Sequence, residues 1–140
     1  MRVTGGRLSG RILKVPKGPL DIRPAMDRMR ESVFAVLGDL SGTSFLDLFA
    51  GSGILGMEAA SRGAREVHLI ESGRHALPAI RANLAKLGEP AQIRVHPREF
   101  QRVLPGLRGL DLVFCDPPFP WFREQPALLA EMLVLAAGAI

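Results

Sequence analysis

The chain has 140 residues, 47% of them hydrophobic, which is enough for one compact domain with its own core and excludes a disordered chain. No apolar run approaches the roughly 20 residues of a membrane span, and the basic N-terminus lacks the apolar stretch of a signal peptide. The only cysteine, Cys115, excludes an internal disulfide, so we expect a cytoplasmic protein. The three histidines lie apart in sequence without zinc-ligand spacing, so we expect no metal.

The net charge of +4 is unevenly distributed. Residues 1–31 hold eight basic and three acidic residues, a net +5, and the remainder is close to neutral at −1. A basic excess confined to one segment favours contact with a phosphate backbone, although a solvated surface explains the charge equally well. The candidate RNA contacts are Arg2, Arg7, Arg11, Lys14, Arg23, Arg28 and Arg30.

In chain order, we expect a basic arm over residues 1–24 and a catalytic domain over residues 25–140. In the arm, residues 3–4 and 11–15 are typical of two short strands around glycine turns, which predicts a hairpin. Apolar residues at helical spacing then predict a helix over 26–37, which Gly38 ends.

The rest of the chain alternates strand and helix. We predict strands over 45–49, 66–70, 92–95 and 110–115, and helices over 54–61, 74–87, 99–104 and 122–135. This alternation predicts an α/β fold in which a doubly wound parallel sheet carries helices on both faces. Ligands of such sheets bind beyond the carboxyl ends of the strands, so the residues that follow each strand are the site candidates.

A glycine loop follows the first strand, at Gly51-Ser52-Gly53, and Gly56 lies in the helix that it opens. Glycines allow the tight turn and a close approach of ligand to backbone. Glu71 ends the second strand 20 residues after Gly51, where a carboxylate can accept hydrogen bonds from both hydroxyls of a ribose. The pattern also fits a nicotinamide oxidoreductase, or glycines that only pack helix against strand. Asp47, inside the first strand, favours a cationic, amino-acid-bearing ligand over a pyrophosphate.

The segment Asp116-Pro117-Pro118-Phe119 follows the fourth strand directly. Two prolines fix the backbone and remove two N–H donors, which leaves the Asp116 carboxylate and the Pro117 carbonyl as a rigid pair of acceptors. Such a pair holds a planar amino group with its nitrogen aimed at a methyl donor, and Phe119 offers a face on which a base can stack. The acceptors also stabilise the positive charge that develops on nitrogen.

Three neighbours of this segment have less certain roles. Cys115 ends an apolar strand with no histidine near it in sequence, so we interpret it as a buried residue and not as a nucleophile. Trp121 and Phe122 either line a pocket for the base or pack in the core of the last helix.

These residues resemble a known family, the RsmD-like bacterial ribosomal RNA methyltransferases, over essentially all 140 residues. The shared stretches are the arm glycines, Arg23-Pro24 with residues 27–31 and Phe34, residues 46–53 and 56–59, Ile70-Glu71, and residues 116–119. The resemblance implies a Rossmann-like class I methyltransferase fold that transfers a methyl group from S-adenosylmethionine to the N2 amino group of a guanine in small-subunit ribosomal RNA. The implied partner is that RNA or the small ribosomal subunit, with the protein acting as a monomer.

The resemblance also distributes roles among the candidate residues. Asp116, Pro117, Pro118 and Phe119 would hold the guanine, and Glu71 the ribose of the cofactor. The residues that we expect around the cofactor are Asp47, Ala50, Gly51, Ser52, Gly53, Gly56, Glu71, Ser72 and Glu99.

Two departures from the family pattern stand out. The family places an Asp or Asn after the third strand to meet the adenine, where this chain has residues 96–100, so Glu99 or a backbone group would replace it. The family fold has seven strands, and Gly138-Ala139-Ile140 resembles the start of a fifth, so we expect the C-terminal strands to be missing from this chain. The competing functions are methylation of another amino group, on a DNA base or a protein glutamine, a nicotinamide oxidoreductase, and a non-catalytic RNA-binding module.

Overall fold

The computed structural model describes residues 1–15 and 23–140, with side chains from residue 27 onward in the second range. Its helices are α1 (Arg23–Leu37), α2 (Ile54–Ser61), α3 (Leu77–Lys86), α4 (Phe100–Val103), α5 (Trp121–Glu124) and α6 (Pro126–Ala139), and a short 3-10 helix spans Leu104–Gly106. Its strands are β1 (Ser44–Leu48), β2 (Glu66–Ile70), β3 (Ile93–His96) and β4 (Leu112–Cys115). The side chain of Arg23, a predicted RNA contact, lies outside the described residues.

The strands form one parallel sheet in the order β3-β2-β1-β4. In the register, Leu48 lies opposite Ile70 of β2 and Cys115 of β4, so the carboxyl ends of the three strands are level. All five residues of β1 are buried, as expected for a strand in the middle of a sheet that helices cover on both faces. The predicted doubly wound α/β architecture is confirmed.

Two apolar clusters hold the helices against opposite faces of this sheet. Consecutive residues of a strand point to opposite sides, and accordingly Phe45 belongs to one cluster and Leu46 to the other. The first cluster contains buried residues of α1, α2 and α3, and the second contains buried residues of α4 and α6. Helices therefore cover both faces of the central strands, and the carboxyl edge of the sheet is left for the site.

The N-terminal residues form the predicted hairpin. Val3 N–H donates to the Arg11 carbonyl at 2.9 Å, Leu13 N–H donates to the Met1 carbonyl at 2.7 Å, and Gly10 N–H donates to the Val3 carbonyl at 2.9 Å. The regular strands that we predicted over residues 3–4 and 11–15 are reduced to one antiparallel bridge, between residues 2 and 12. The division of the chain at residue 24 stays a prediction, because residues 16–22 lie outside the described ranges.

Helix α2 anchors the arm through two buried side chains. The Glu58 carboxylate accepts hydrogen bonds from Thr4 N–H at 2.8 Å, Thr4 Oγ1 at 2.7 Å and Gly5 N–H at 2.9 Å. The Ser61 hydroxyl accepts a hydrogen bond from Leu8 N–H at 2.8 Å and donates to the Gly5 carbonyl at 2.6 Å. The apolar side chains of the arm complete this attachment, since residues 3, 8 and 13 are buried in the same cluster as α2. The arm is therefore packed on the body of the protein.

Several predicted boundaries were wrong, each for a local reason. Helix α1 begins at Arg23 and not at residue 26, because a proline in the first turn is compatible with a helix. Helix α3 begins at Leu77 and not at residue 74, with Pro78 in its first turn. The predicted last helix is broken in two at Gln125 (φ −140°), because the proline that follows disfavours helical geometry at this residue.

The predicted entrance to a fifth strand at residues 138–140 was also wrong. Helix α6 continues to Ala139, whose carbonyl accepts a hydrogen bond from Leu110 N–H at 3.0 Å. The run of Leu, Ala and Met before it favours helix, and the buried Ala136 and Ala139 pack it against the sheet.

Candidate active site at the carboxyl edge of the sheet

The two candidate loops leave neighbouring strands at the same level. The glycine loop follows β1 and residues 116–119 follow β4, and these strands pair with Leu48 opposite Cys115. Adjacent strands lie about 4.8 Å apart, so ligands held by the two loops would be in contact with each other. The topology thus brings together the two segments that the sequence identified separately.

The glycine loop is hydrogen-bonded to Glu71, the residue that directly follows β2. The Glu71 carboxylate accepts hydrogen bonds from Gly51 N–H at 2.8 Å and from Gly73 N–H at 2.6 Å. Gly51 has φ 58°, and a Cβ added to it would meet no atom within 4 Å, so the space in front of the loop is open. A carboxylate has about four lone-pair sites, so Glu71 keeps acceptor capacity for the two hydroxyls of a ribose.

Asp47 lies behind this loop with only 1% of its surface exposed. Burial raises its pKa to about 7, the Gly56 N–H that donates to it at 3.2 Å opposes this, and the charges of Asp116 and Glu71 raise it further. The three carboxylates are therefore close enough for their charges to repel one another. A cation placed among them would favour the ionised form of Asp47, which is the environment expected for a positively charged ligand.

Gly56 and Gly53, two of the predicted cofactor residues, also have packing roles. A Cβ on Gly56 would overlap the side chains of Leu69 and Val67, so this glycine lets α2 lie directly against β2. A cofactor contact of Gly56 stays a prediction, and its packing against the sheet is a role of its own. Gly53 is in the left-handed region at φ 78°, and a Cβ there would crowd Met57.

The other predicted cofactor residues are placed around the same edge. Ser52 is buried, with its hydroxyl 3.9 Å from the sulfur of Met1, so this hydroxyl faces the arm. Ala50 is buried, and its carbonyl accepts a hydrogen bond from Gly53 N–H at 2.7 Å. Ser72 and Glu99 are exposed after β2 and β3, and their contacts with a cofactor stay predictions.

The segment after β4 presents acceptors to solvent. Asp116 is exposed, and within the described residues the Pro117 carbonyl accepts no hydrogen bond. The Pro118 carbonyl accepts one from Trp121 N–H at 2.9 Å, which turns the chain into α5. Phe119 is 80% exposed, so its ring face is available to a planar ligand. The segment is therefore held by its prolines and by this turn.

An aromatic cluster that the sequence analysis missed joins the two loops. Phe49 adopts φ 71°, a strained conformation for a residue with a side chain. Its ring makes edge-to-face contacts with Trp121, at 5.3 Å between centroids, and with Phe100, at 6.0 Å. Trp121 is therefore half-buried against the second apolar cluster, whereas Phe122 is exposed near Phe119. The position of Phe49 between strand and glycine loop was the only signal in the sequence.

Cys115 has the environment of a structural residue. Burial raises the pKa of its thiol, and the nearby Asp47 carboxyl raises it further. A thiol that resists ionisation is a poor nucleophile, which agrees with the sequence interpretation.

The basic arm presents most of its charges to solvent. The exposed residues of the predicted RNA surface are Arg2, Arg7, Arg11, Lys14 and Arg28. Arg30 is an exception, since only 3% of it is exposed. Its guanidinium pairs with Asp27 at 2.8 Å and donates to the Arg2 carbonyl at 2.8 Å. The prediction of Arg30 as an RNA contact is therefore wrong, because this side chain fastens the arm to α1.

Two histidines that are far apart in sequence meet on the neighbouring strands β2 and β3. His68 Nδ1 and His96 Nε2 lie 2.9 Å apart in stacked rings, and Glu66 is 3.3 Å from His68 Nε2. Burial lowers the pKa of both imidazoles, which favours a neutral pair. Among residues 1–15 and 23–140, no group of three or more His, Cys, Asp or Glu side chains is arranged to hold a metal ion.

Residues 1–140 match the family described as Conserved hypothetical protein 95. The chain belongs to this family. Its relatives include the ribosomal RNA small subunit methyltransferase D of Escherichia coli K12, which is 40% identical over 124 residues, 85% of this chain and 60% of that protein. YlbH of Bacillus subtilis 168, assigned as an rRNA methyltransferase, is 36% identical over 133 residues, 89% of this chain and 68% of that protein.

Solved structures agree with this family assignment. A structure from Escherichia coli, assigned as the methyltransferase yhhF, superposes with a TM-score of 0.78 at 37% identity, over 96% of this chain and 70% of that one. The hypothetical protein TTHA0928 of Thermus thermophilus gives 0.75 at 33% identity, over 96% and 78%. The resemblance to the RsmD-like methyltransferases and the class I methyltransferase fold are both confirmed, and the nicotinamide oxidoreductase is set aside. The chain spans about two thirds of the length of the curated relatives, 68% and 60% in the two cases above.

Within the part of the chain that the structure describes, no helix is long and apolar enough to cross a membrane.

Proposed function

We propose that this protein transfers a methyl group from S-adenosylmethionine to an exocyclic amino group of small-subunit ribosomal RNA, namely N2 of a guanine. The observation that carries the proposal is that the two loops leave adjacent strands at the same level. The first loop has open space in front of Gly51, and the second presents Asp116 followed by two prolines. The names of the relatives support ribosomal RNA as the substrate class. A ribosomal substrate would place the protein in the cytoplasm.

The residues of the crevice fit this cofactor. S-adenosylmethionine carries a sulfonium, an ammonium and a ribose, and its sulfonium makes the methyl group electrophilic. The buried Asp47, with its pKa near 7, suits a cationic ligand better than a pyrophosphate, which would repel the carboxylates. Glu71 has acceptor capacity at the end of β2 for the ribose. Gly51 leaves room at the loop for the amino-acid end.

The segment after β4 would hold the amino group that is methylated. The Asp116 carboxylate and the Pro117 carbonyl would each accept one hydrogen from the amino group, so that the nitrogen lone pair points towards the β1 loop. This is catalysis by positioning, since no covalent intermediate is needed. The carboxylate also stabilises the positive charge that forms on nitrogen, and the exposed Phe119 ring would stack on the base.

One experiment tests the whole proposal. The purified protein is given S-adenosylmethionine with a radioactive methyl group and, in separate reactions, bulk ribosomal RNA, DNA and protein. We expect label in small-subunit RNA, and nucleoside analysis should identify N2-methylguanosine. Label in DNA or in protein glutamine would support the other amino-group acceptors. Binding of RNA without any transfer would indicate the non-catalytic RNA-binding module.

A further inference from the structure

One buried side chain joins the basic arm to the glycine loop. Asn83 of α3 has no exposed surface. Its Oδ1 accepts a hydrogen bond from Lys14 N–H at 2.6 Å, and its Nδ2 donates to the Lys14 carbonyl at 2.9 Å. The same Nδ2 donates to the Ser52 carbonyl at 3.0 Å. An amide nitrogen has two hydrogens, so one serves the arm and the other serves the loop.

The arm controls the orientation of this amide. Two of its three hydrogen bonds go to the backbone of Lys14. Together these two bonds fix the plane of the Asn83 amide. The terminal torsion of Asn is broad when nothing restrains it. If the arm moves away, the Nδ2 donor that faces Ser52 therefore loses its fixed direction.

The Ser52 carbonyl in turn controls the shape of the glycine loop. The peptide group is planar, so a fixed Ser52 carbonyl also fixes the direction of the Gly53 N–H. That N–H donates to the Ala50 carbonyl at 2.7 Å and closes the turn. Gly53 is in the left-handed region, where the backbone of glycine has many alternatives, so an external hydrogen bond is needed to select one.

The hairpin is oriented so that its open end lies at the loop. Met1 Sδ is 3.9 Å from Ser52 Oγ, while Leu8, in the hairpin turn, is bonded to Ser61 at the opposite end of α2. Lys14, which is exposed and basic, follows Leu13, whose N–H pairs with the Met1 carbonyl at the open end. RNA bound there would restrain the part of the arm that holds Asn83.

We propose that Asn83 is a positioning residue that couples RNA binding on the arm to cofactor binding at the glycine loop. The inference rests on the proposed function, because it requires both ligands. RNA on the arm restrains the Lys14 backbone, and this backbone orients Asn83. Asn83 then holds the Ser52 carbonyl in the conformation that receives the cofactor. Since coupling between two ligands is reciprocal, each should tighten the binding of the other by the same factor.

The test measures this coupling in matched variants. The dissociation constant of S-adenosylmethionine is determined by calorimetry with and without saturating small-subunit ribosomal RNA. We expect the RNA to tighten cofactor binding about 5-fold or more in the unmodified protein. Asn83→Asp keeps the size of the side chain but removes both Nδ2 donors, and the ratio should fall to about 1. Ser61→Ala removes a buried arm contact at the far end of α2 and should preserve the ratio.

A ratio of 1 in the unmodified protein, or an undiminished ratio in Asn83→Asp, would overturn the coupling. If that variant does not fold, hydrogen exchange on the unmodified protein decides, since RNA alone should slow exchange of the Gly53 amide. An unchanged exchange rate would refute the inference. If the proposed function itself is wrong, the unmodified protein will bind neither ligand or will transfer no methyl group. If only the coupling is wrong, binding and transfer will both remain intact.

Discussion

The loop after β1 and the loop after β4 meet at the same edge of the sheet but are stabilised differently. In the first, the N–H groups of Gly51, Gly53 and Gly56 donate to Glu71, Ala50 and Asp47. In the second, two prolines supply no N–H and Asp116 is exposed, and the Pro118 and Phe119 carbonyls accept hydrogen bonds from Trp121 N–H and Phe122 N–H.

This difference suits the two ligands that we propose. A loop whose donors are already paired is shaped before the cofactor arrives, and it leaves carboxylates as the groups that face a cation. A loop without donors keeps its acceptors free for the amino group of a base. The first loop is preorganised by hydrogen bonds and the second by covalent rings, so substitutions at the two should have separable effects.

The largest effect is expected at Asp116. Asp116→Ala removes one of the two acceptors for the amino group, and we expect kcat to fall about 10²–10³-fold, as for other lost groups that stabilise transition-state charge. The dissociation constant of S-adenosylmethionine should change little, because the cofactor is held by the other loop. Single-turnover transfer and calorimetry measure the two quantities.

Asp116→Asn is the matched control, since it keeps an oxygen acceptor but loses the charge. We expect its rate to lie between those of the unmodified protein and Asp116→Ala. A comparable loss of rate and cofactor affinity in both variants would contradict the separation of the two loops.

Much of this arrangement could be predicted from the sequence. Alternating strands and helices, the glycine loop and the Asp-Pro-Pro-Phe segment predicted both loops and the level at which they meet, because parallel strands place their carboxyl ends together. The burial of Arg30 against the arm and the contact of Gly56 with β2 could not be predicted, because both depend on tertiary packing. The roles of Phe49 and Asn83 were not predicted either, since neither a strained φ nor a buried amide bridge leaves a local pattern.

The next effect concerns Asp47 of β1, behind the first loop. Asp47→Asn keeps an acceptor for the Gly56 N–H but removes the buried charge behind the glycine loop, so we expect the affinity for the cationic cofactor to fall roughly 10-fold or more. A buried charge is lost too, so the unliganded variant should be more stable at pH 8 by about 1–4 kcal/mol. Denaturant unfolding checks the second expectation, and equal or lower stability at that pH would contradict the assignment of a buried, strained charge.

The stability difference should depend on pH with a definite sign. The folded protein keeps Asp47 protonated up to a pKa of about 7, whereas the group titrates near 3.8 when unfolded. The unmodified protein therefore loses stability from this group as the pH rises from about 4 through 7. The advantage of Asp47→Asn should be small near pH 4 and full above pH 7.

Cofactor binding should have the opposite dependence on pH. A cationic ligand favours ionised Asp47, so binding releases a proton, and affinity should rise by up to about 10-fold between pH 6 and pH 8. Calorimetry in two buffers with different ionisation enthalpies measures the released proton directly. The release should vanish in Asp47→Asn, and persistence there would assign the titration to another group.

The smallest effect is expected in the basic arm, outside both loops. It tests whether the charges of the arm contribute affinity for RNA. The double variant Arg11→Gln/Lys14→Gln should weaken RNA binding a few-fold at physiological salt and lower the slope of log K against log salt by about 1.4–1.8, because two phosphate contacts are lost. The control Arg65→Gln/Arg108→Gln lowers the net charge by the same amount as the arm variant. Its two positions are exposed and precede β2 and β4, at the opposite end of the sheet, so it should leave the slope unchanged. If both double variants lower the slope equally, RNA is attracted by net charge and not by the arm, and the hairpin would then act through its packing against α2 and Asn83.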